Sequence, residues 1–392
     1  MRIVHLSDTH IGKRRYNLSS SPSDFLEAFE EAFELALSHS PDVIIHSGDV
    51  FDNPYPMNYT KRVVIERLMR YSKSVPVLIV AGNHDYADMD GLSPLSFFSF
   101  MDGNIHVSEF RDVARKRSIQ PLEMRGARFY LMPFIRDRAL LREMVNSIRE
   151  DMGSGLNFAV LHQIIDGFTA KRKNITMDIN HEELGTFSFI FVGHFHTPFL
   201  DRDNRFAYAG STEALSFDEY EYTGEGTVSP STAKRIFVYD FSDDGSFRVE
   251  QIPLKSPRPF LFYAMDYPSV EELRSRLEDI PVSHEKAPIL ILKIKAESVK
   301  AMEEYLTVIN RFRDKEYYEH IRADITPDEV AVDVESAGVE DIKRKILGDF
   351  YEIVKDAEGF LESMEETAVR GYREKLMDIL EKGYEDRGSK AD

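Results

Sequence analysis

The first 255 residues alternate short apolar runs, each followed by polar and ionisable residues, with amphipathic stretches. The apolar runs read RIVHLSDTH, DVIIHSGDVFD, VPVLIVAGNHD, ARFYLMPF, NFAVLHQ, FSFIFVGHFH, RFAYAGSTE and RIFVYDF. Because they are continuously apolar, they predict strands buried on both faces. The stretches between them predict helices, as in DFLEAFEEAFELALSH, where Phe25, Phe29 and Phe33 recur at every fourth position. The alternation predicts an α/β fold, and the later strands, with fewer helices between them, predict a core of two sheets.

The two prolines of KSPRP at 255–259 predict the end of this first domain, 1–255. The residues that follow read strand, helix, strand, helix, strand: PFLFYAMDY, SVEELRSRLEDI, APILILKIKA, SVKAMEEYLTVINRF and EYYEHIRADI. They predict a smaller α+β domain at 256–335. Residues 336–392 carry apolar stripes at spacings of three and four, which predict helices that pack on each other or dock into the groove of a partner.

Composition limits the chemistry. The chain has no cysteine, which excludes disulfides, thiolate zinc sites and cysteine nucleophiles, so any metal must bind nitrogen and oxygen ligands. A net charge of -19 weighs against a nucleic-acid partner, although basic clusters at 13–15, 115–117 and 171–173 keep that partner open. The absence of cysteine fits an intracellular protein. No apolar run reaches about 18 residues, so we expect no membrane span.

Five of the predicted strands end in residues that can bind metals. These residues are Asp8 and His10, Asp49, Asn83 and His84, His162, and His194 and His196. Ligands of α/β sheets gather beyond the carboxyl ends of the strands. Any one of these ends could be a cap or a core group, but five in succession predict a site for two divalent cations with a bridging carboxylate. Imidazole, carboxylate and amide together suit Mn, Fe or Zn, and a histidine that binds no metal would serve as the general acid.

The motifs D-x-H, GD, GNHD, a lone H and GHxH, in that order, resemble those of the calcineurin-like metallophosphoesterase superfamily over residues 1 to about 215. The stretches HLSDTHIGKRRYN, GDVFDNPYP and YAGSTEALSFDE resemble the DNA double-strand-break repair nucleases of the Mre-eleven/SbcD family, of archaeal type. That resemblance covers nearly the whole chain. It implies a two-sheet β-sandwich flanked by helices at 1–255, a DNA-binding capping domain at 256–335, and an ATPase-binding helical segment at 336–392.

The resemblance also implies roles for individual residues. The first of two Mn²⁺ ions would bind Asp8, His10, Asp49 and His196. Asp49 would bridge to a second ion that binds Asn83, His162 and His194, with Mg²⁺, Fe or Zn as alternative metals. His84 would bind no metal and would protonate the leaving oxygen, with Asp85 as its orienting partner. Asp52 stands where some archaeal relatives have a histidine, so the balance of exonuclease and endonuclease activity stays open.

The implied activity is a Mn-dependent DNA nuclease that processes broken ends, a 3′–5′ exonuclease on duplexes and an endonuclease on single strands. Its implied partners are DNA, a second copy that contacts residues 57–101, and an SMC-like ABC ATPase of the Rad-fifty type, in the cytoplasm of an archaeal cell. The residues predicted to contact DNA phosphates are Lys13, Arg14, Arg15, Lys171, Arg172 and Lys173. Two alternatives remain: a phosphatase or cyclic-nucleotide phosphodiesterase, and a non-catalytic scaffold for the ATPase.

Overall fold

The computed structural model describes residues 1–86, 93–101, 103–165, 177–223, 226–279, 286–313 and 318–327. All of them belong to one compact unit, Met1–Asp328. The predicted helical segment 336–392 and the end of the predicted small domain, 328–335, lie outside the described residues. Among the described residues, no helix combines the length with the apolar character that a membrane crossing requires.

Within these ranges the chain forms six α-helices and fifteen strands. The helices are α1 Ser21–Ser38, α2 Asn58–Tyr71, α3 Phe110–Lys116, α4 Arg138–Asp151, α5 Val270–Asp279 and α6 Val299–Arg313. The strands are β1 Arg2–Leu6, β2 Val43–His46, β3 Val77–Val80, β4 Ile105–Ser108, β5 Leu122–Met124, β6 Ala127–Met132, β7 Leu156–His162, β8 Phe189–Gly193, β9 Phe199–Asp201, β10 Phe206–Tyr208, β11 Arg235–Phe241, β12 Phe247–Pro253, β13 Phe260–Asp266, β14 Ile289–Ala296 and β15 His320–Pro327. Each of the eight apolar runs of the first 255 residues contains a strand, as predicted.

Two six-stranded sheets form the core of the first 255 residues, which confirms the predicted sandwich. Their strand orders are β12-β11-β1-β2-β3-β4 and β5-β6-β7-β8-β10-β9. The strands β1 to β4 are parallel to one another, and so are β6, β7, β8 and β10. Between the sheets lies an aromatic layer that includes Phe129, Phe158, Phe189 and Tyr239. Because these side chains are fully buried, the layer sets the separation of the two sheets.

Helices cover the outer faces of both sheets. In α1, Phe25, Phe29 and Phe33 lie on one buried stripe, and the ring of Phe33 stacks on Tyr71 of α2 with centroids 5.1 Å apart. On the second sheet, α4 buries Leu141, Met144, Val145 and Ile148. This helix begins where the carboxylate of Asp137 accepts hydrogen bonds from the backbone N–H groups of Ala139 and Leu140.

A third sheet follows KSPRP, in the order β13-β14-β15, with all strands parallel. Leu273 of α5 and Ile309 of α6 pack against one face, where Leu290 is fully buried. On the other face, Phe260 and Ile289 contact the loop that contains Tyr220. The elements follow the predicted order of strand, helix, strand, helix and strand.

A cluster of buried charged side chains joins the third sheet to the sandwich. Arg258, in KSPRP, donates from Nε and Nη2 to both carboxylate oxygens of Asp24 on α1, at 2.6 and 2.9 Å. Its backbone N–H donates to Glu213, which also accepts from the guanidinium of Arg15 at 2.8 Å. All four residues are buried. The cluster therefore contains two arginines and two carboxylates, whose charges are balanced by one another in a region that is buried from solvent.

Replacement of Arg258 by methionine should destabilise the protein. The change keeps the aliphatic bulk but leaves the Asp24 carboxylate with less positive charge around it, so we expect the free energy of unfolding to fall by about 3 kcal/mol. Urea unfolding followed by circular dichroism measures this loss. Arg62→Met is the matched control, because Arg62 pairs with Glu66 on the exposed face of α2 and its loss should leave the unfolding midpoint unchanged. Equal midpoints for the two variants would contradict the structural role of the cluster.

Candidate metal centre

The carboxyl ends of five strands from both sheets meet at one edge of the sandwich. The first sheet contributes Asp8 and His10 after β1, Asp49 after β2 and Asn83 after β3, whereas the second sheet contributes His162 at the end of β7 and His194 and His196 after β8. The structure therefore brings together all seven residues that were predicted to bind metal, and their donor atoms fall into two groups.

The first group consists of Asp8, His10 and His196. His10 Nε2 lies 3.3 Å from His196 Nε2, and each of these nitrogens lies 4.0 Å from Asp8 Oδ1. The carboxylate of Asp8 also accepts hydrogen bonds from the backbone N–H of His194, at 3.1 and 3.2 Å. One side chain of the first sheet thus fixes the loop of the second sheet that contains both histidines of GHFH.

The second group consists of Asn83, His162 and His194. Asn83 Oδ1 lies 2.7 Å from His194 Nδ1 and 3.1 Å from His162 Nε2, and these two nitrogens lie 3.2 Å apart. His162 is fully buried, and its Nδ1 donates to the carbonyl oxygen of Ser47 at 2.8 Å. That hydrogen bond leaves the lone pair of Nε2 for the group.

Asp49 lies between the two groups. Its Oδ2 is 3.6 Å from His10 Nε2 and 3.3 Å from His162 Nε2. Donor atoms that share one cation at about 2.1 Å lie about 3.0–3.4 Å from each other. The spacings within the second group, 2.7–3.2 Å, and the 3.3 Å between His10 and His196 are close to this range, whereas the two 4.0 Å distances to Asp8 Oδ1 are longer. The donors are only imidazole nitrogens and carboxylate or amide oxygens. The residues therefore fit a pair of divalent cations that share Asp49.

The backbone of the centre is strained. Four of the seven residues have positive φ although none is glycine: Asp8 at 51°, His10 at 41°, Asp49 at 54° and His194 at 85°. Such conformations cost about 1–3 kcal/mol each and persist only where the surroundings enforce them. Here the buried carboxylate of Asp85 contributes, because it accepts hydrogen bonds from the backbone N–H groups of Val50, Phe51 and Gly82.

Burial and proximity determine the charges of the centre. Burial opposes the ionisation of Asp49, yet the imidazoles of His162 and His10 hold the pKa of its carboxyl well below its usual range. Burial would lower the pKa of His162, but the charge of Asp49 raises it to about 9. Burial, assisted by the charge of His162, lowers the pKa of His194 to about 3. Asp49 is therefore ionised and His194 neutral at pH 7, and metal binding would displace the proton of His162.

His84 lies at the rim of the centre. Its backbone N–H donates to Asp49 Oδ1 at 2.8 Å, and its Nδ1 donates to the backbone carbonyl of Asp52 at 2.7 Å. The ring stands edge-on to that of His10, with centroids 4.8 Å apart. The described hydrogen bonds of the Asp85 carboxylate go to backbone N–H groups, so the hydrogen bond that orients the His84 ring comes from Asp52 and not from Asp85.

Two further histidines, His5 and His46, lie behind the centre, each three residues before one of its carboxylates. His5 Nε2 hydrogen-bonds Ser47 Oγ at 2.8 Å, and His46 Nε2 hydrogen-bonds Thr9 Oγ1 at 3.1 Å. Both rings are fully buried, and burial lowers the pKa of each to about 3. They are therefore neutral hydrogen-bonded supports.

Sequence reasoning missed two residues next to His196. Glu219 Oε1 accepts a hydrogen bond from His196 Nδ1 at 3.0 Å, and Lys234 Nζ donates to Glu219 Oε2 at 2.6 Å. Glu219 lies in the stretch YAGSTEALSFDE, which was quoted only for its resemblance to a family. No local pattern marks Lys234, because its role depends on contacts with residues far along the chain.

The structure places the residues that were predicted to contact DNA in different environments. The prediction for Arg15 is wrong, because its guanidinium is buried between Glu213 and Asp24 and is not available to a phosphate. Arg14 is exposed, and Lys13 Nζ lies 3.1 Å from Asp52 Oδ1, near the rim of the centre. Lys171, Arg172 and Lys173 lie outside the described residues.

Gly82 allows the close approach of Asp49, and Gly82→Ala should disrupt the centre. A β-carbon at this position would overlap Asp49 Oδ1 and its backbone nitrogen. Overpacking of this kind costs about 1–3 kcal/mol, so we expect Mn²⁺ affinity to fall about 10- to 100-fold, as measured by isothermal titration. Gly185→Ala is the control, because its β-carbon would make an ordinary contact at 3.5 Å with the carbonyl oxygen of Glu182. Wild-type affinity in the Gly82 variant would show that the position of Asp49 does not matter.

Known proteins are similar to this chain over most of its length. A DNA double-strand break repair protein Mre11 of Thermoplasma acidophilum is 29% identical over 364 residues, which cover 88% of this chain and 90% of that protein. The Mre11 protein of Methanocaldococcus jannaschii is 26% identical, with 76% and 77% covered, and a subunit of the SbcCD nuclease of Staphylococcus epidermidis is 23% identical, with 75% and 82% covered. The family described as calcineurin-like phosphoesterase matches residues 1–198, which contain every residue of the two donor groups. The chain belongs to the calcineurin-like phosphoesterase family.

Proposed function

We propose that this phosphoesterase is a DNA nuclease that hydrolyses phosphodiester bonds at broken DNA ends during double-strand break repair. The observation that carries the proposal is the position of Asp49 Oδ2 between His10 Nε2 and His162 Nε2, at 3.6 and 3.3 Å, in a centre that fits two cations. The choice of DNA among phosphoesters is supported by the names of the relatives, which match this chain over three quarters of its length or more.

Two Mn²⁺ ions are the proposed cofactors, with Mg²⁺, Fe or Zn as alternatives. Asp8, His10 and His196 would bind one ion, and Asn83, His162 and His194 the other, with Asp49 shared. A bound pair of this kind lowers the pKa of a shared water and neutralises charge on phosphate oxygens. Manganese is favoured because Asp8, Asp49 and Asn83 contribute oxygen donors beside the imidazoles.

His84 is the proposed general acid. The hydrogen bond from its Nδ1 to the carbonyl of Asp52 leaves Nε2 to face the substrate, and the ring is partly exposed where the rings of His10 and His162 are fully buried. A protonated His84 can donate from Nε2 to the leaving 3′ oxygen, which otherwise departs as an unstable alkoxide. The backbone N–H of His84 binds Asp49 Oδ1, so the acid is positioned relative to the centre itself.

Cleavage of end-labelled linear duplex DNA in Mn²⁺ tests the function, with a simple aryl phosphate as the competing substrate. We expect stepwise shortening of the duplex from its 3′ ends and internal cuts in circular single-stranded DNA. Hydrolysis of the aryl phosphate alone would favour a phosphatase, and no hydrolysis with two Mn²⁺ bound would favour a scaffold.

His84→Ala should separate metal binding from cleavage. We expect DNA cleavage to fall about 10²- to 10⁴-fold, the usual contribution of a general acid, while Mn²⁺ binding measured by titration stays at two ions. His39→Ala is the control, because His39 follows α1 at the opposite end of β1, where its carbonyl accepts a hydrogen bond from Arg2. Loss of one Mn²⁺ from the His84 variant would instead make His84 a ligand.

A homodimer is the proposed assembly. Two segments that pack on the first sheet expose large apolar side chains: Tyr55, Met57, Tyr59, Phe97, Phe100 and Met101. Phe100 is 89% exposed and Tyr59 is 72% exposed. Apolar exposure of this extent is typical of protein–protein contacts.

Phe100→Ser combined with Tyr59→Ser should therefore shift the protein from dimer to monomer. Sedimentation velocity measures this change, and we expect the monomer to keep its bound Mn²⁺. Tyr267→Ser, the same type of change at an exposed position after β13, should leave the dimer intact. A wild-type monomer, or a double variant that still dimerises, would contradict the proposed surface.

The proposed ATPase partner would bind through residues 336–392, which lie outside the described residues. Two points support the proposal. The apolar stripes of that segment resemble the ATPase-binding helices of the family, and the name of one relative describes that relative as a subunit of a nuclease complex. Co-purification of an SMC-like ABC ATPase with the full chain but not with residues 1–335 is the test.

A further inference from the structure

Lys234 is a buried lysine next to the metal centre. It is 2% exposed, and its ammonium donates hydrogen bonds to three acceptors: the backbone carbonyl of His196 at 3.0 Å, Ser211 Oγ at 2.8 Å and Glu219 Oε2 at 2.6 Å. It also lies 5.1 Å from the centroid of the Tyr220 ring. A buried ammonium is costly unless its donors are satisfied, and here all three are.

Glu219 is the partner of both Lys234 and His196. Its Oε1 accepts from His196 Nδ1 at 3.0 Å and from the backbone N–H of Leu215 at 3.1 Å, while its Oε2 accepts from Lys234 and from Ser211 Oγ. Thr197 Oγ1 donates to the backbone carbonyl of Glu219 at 3.1 Å. The residue is 7% exposed, and its carboxylate is fixed from four directions.

We propose that Glu219 and Lys234 form a positioning pair that orients His196 and thereby determines the metal affinity of one donor group, the group with Asp8 and His10. This inference rests on the proposed function, since it assigns His196 to a metal. It concerns residues that do not themselves bind the metal or the substrate.

The physical basis is the tautomer and orientation of the His196 ring. A carboxylate that accepts from Nδ1–H leaves the lone pair on Nε2 and increases the basicity of the ring. His196 Nε2 then faces His10 Nε2 at 3.3 Å, within the first donor group. Lys234 contributes twice, because it neutralises Glu219 and also fixes the backbone carbonyl of His196.

The second donor group depends on different partners. His162 Nδ1 donates to a neutral backbone carbonyl, that of Ser47, and the ring of His194 stacks on Phe134 with centroids 5.8 Å apart. Neither contact involves the positioning pair. A change at Glu219 should therefore weaken one of two bound ions and leave the other.

Glu219→Gln tests the pair by Mn²⁺ titration, with the magnetic resonance spectrum of bound Mn²⁺ as a second readout. We expect the wild type to bind two ions. In the variant, one of the two ions should bind about 10- to 100-fold more weakly. At low Mn²⁺ concentration the variant should therefore lack the spectral signal of two magnetically coupled ions. Glu221→Gln is the matched control, since Glu221 is exposed two residues away and accepts from Ser231. Equal affinities in wild type and Glu219→Gln, or equal weakening of both ions, would overturn the inference.

A double variant separates positioning from stability. Glu219→Leu with Lys234→Met removes both buried charges together, so we expect the unfolding midpoint to stay near that of the wild type. If the pair positions His196, one Mn²⁺ should still bind weakly in this variant. Full wild-type Mn²⁺ affinity in the variant would overturn the proposal. A wild type that binds fewer than two ions would refute the proposed function itself, an outcome distinct from failure of the pair.

Discussion

A single carboxylate oxygen, Oδ2 of Asp49, lies between imidazoles that come from two different sheets, and the metal centre depends on this contact. His10 follows β1 of the first sheet and His162 ends β7 of the second, so their rings meet only because the sheets pack face to face with those strand ends at one edge. The aromatic layer around Phe158 sets that distance. The electrostatic cost of burying the carboxylate is offset by the imidazoles around it.

The rest of the centre maintains this contact against strain. Asp49 itself has φ of 54°, and the backbone on either side of the centre is fixed by buried hydrogen bonds rather than by regular structure. Asp85 binds three backbone N–H groups, and burial together with the nearby charge of Asp49 raises its pKa to about 7. On the side of His196, Lys234 donates a hydrogen bond to the backbone carbonyl of this histidine and Glu219 accepts one from its Nδ1. Buried charges and left-handed residues therefore occur together, because rigid surroundings are what keep unfavourable conformations populated.

Buried charged side chains also occur at the junction between the sandwich and the third sheet. The KRR cluster at 13–15 predicted three phosphate contacts, yet the guanidinium of Arg15 points inward to Glu213, which lies 198 residues further along the chain. A run of basic residues shows that a segment is positively charged, but it does not show whether each side chain points to solvent or into the protein. Direction depends on which carboxylates the fold places nearby, and neither Glu213 nor Asp24 has a local signature.

The sequence by itself predicted eight of the twelve strands of the sandwich, the helix α1 that covers it and the seven candidate donor residues at the strand ends, because apolar periodicity and the chemistry of Asp, Asn and His are local properties. Only the tertiary structure decided the partners of those donors. It orients His84 by the carbonyl of Asp52 instead of Asp85, and it places Glu219 and Lys234 behind His196. These contacts join residues that are distant in the chain, and the packing of two sheets, not any local pattern, brings them within hydrogen-bonding distance.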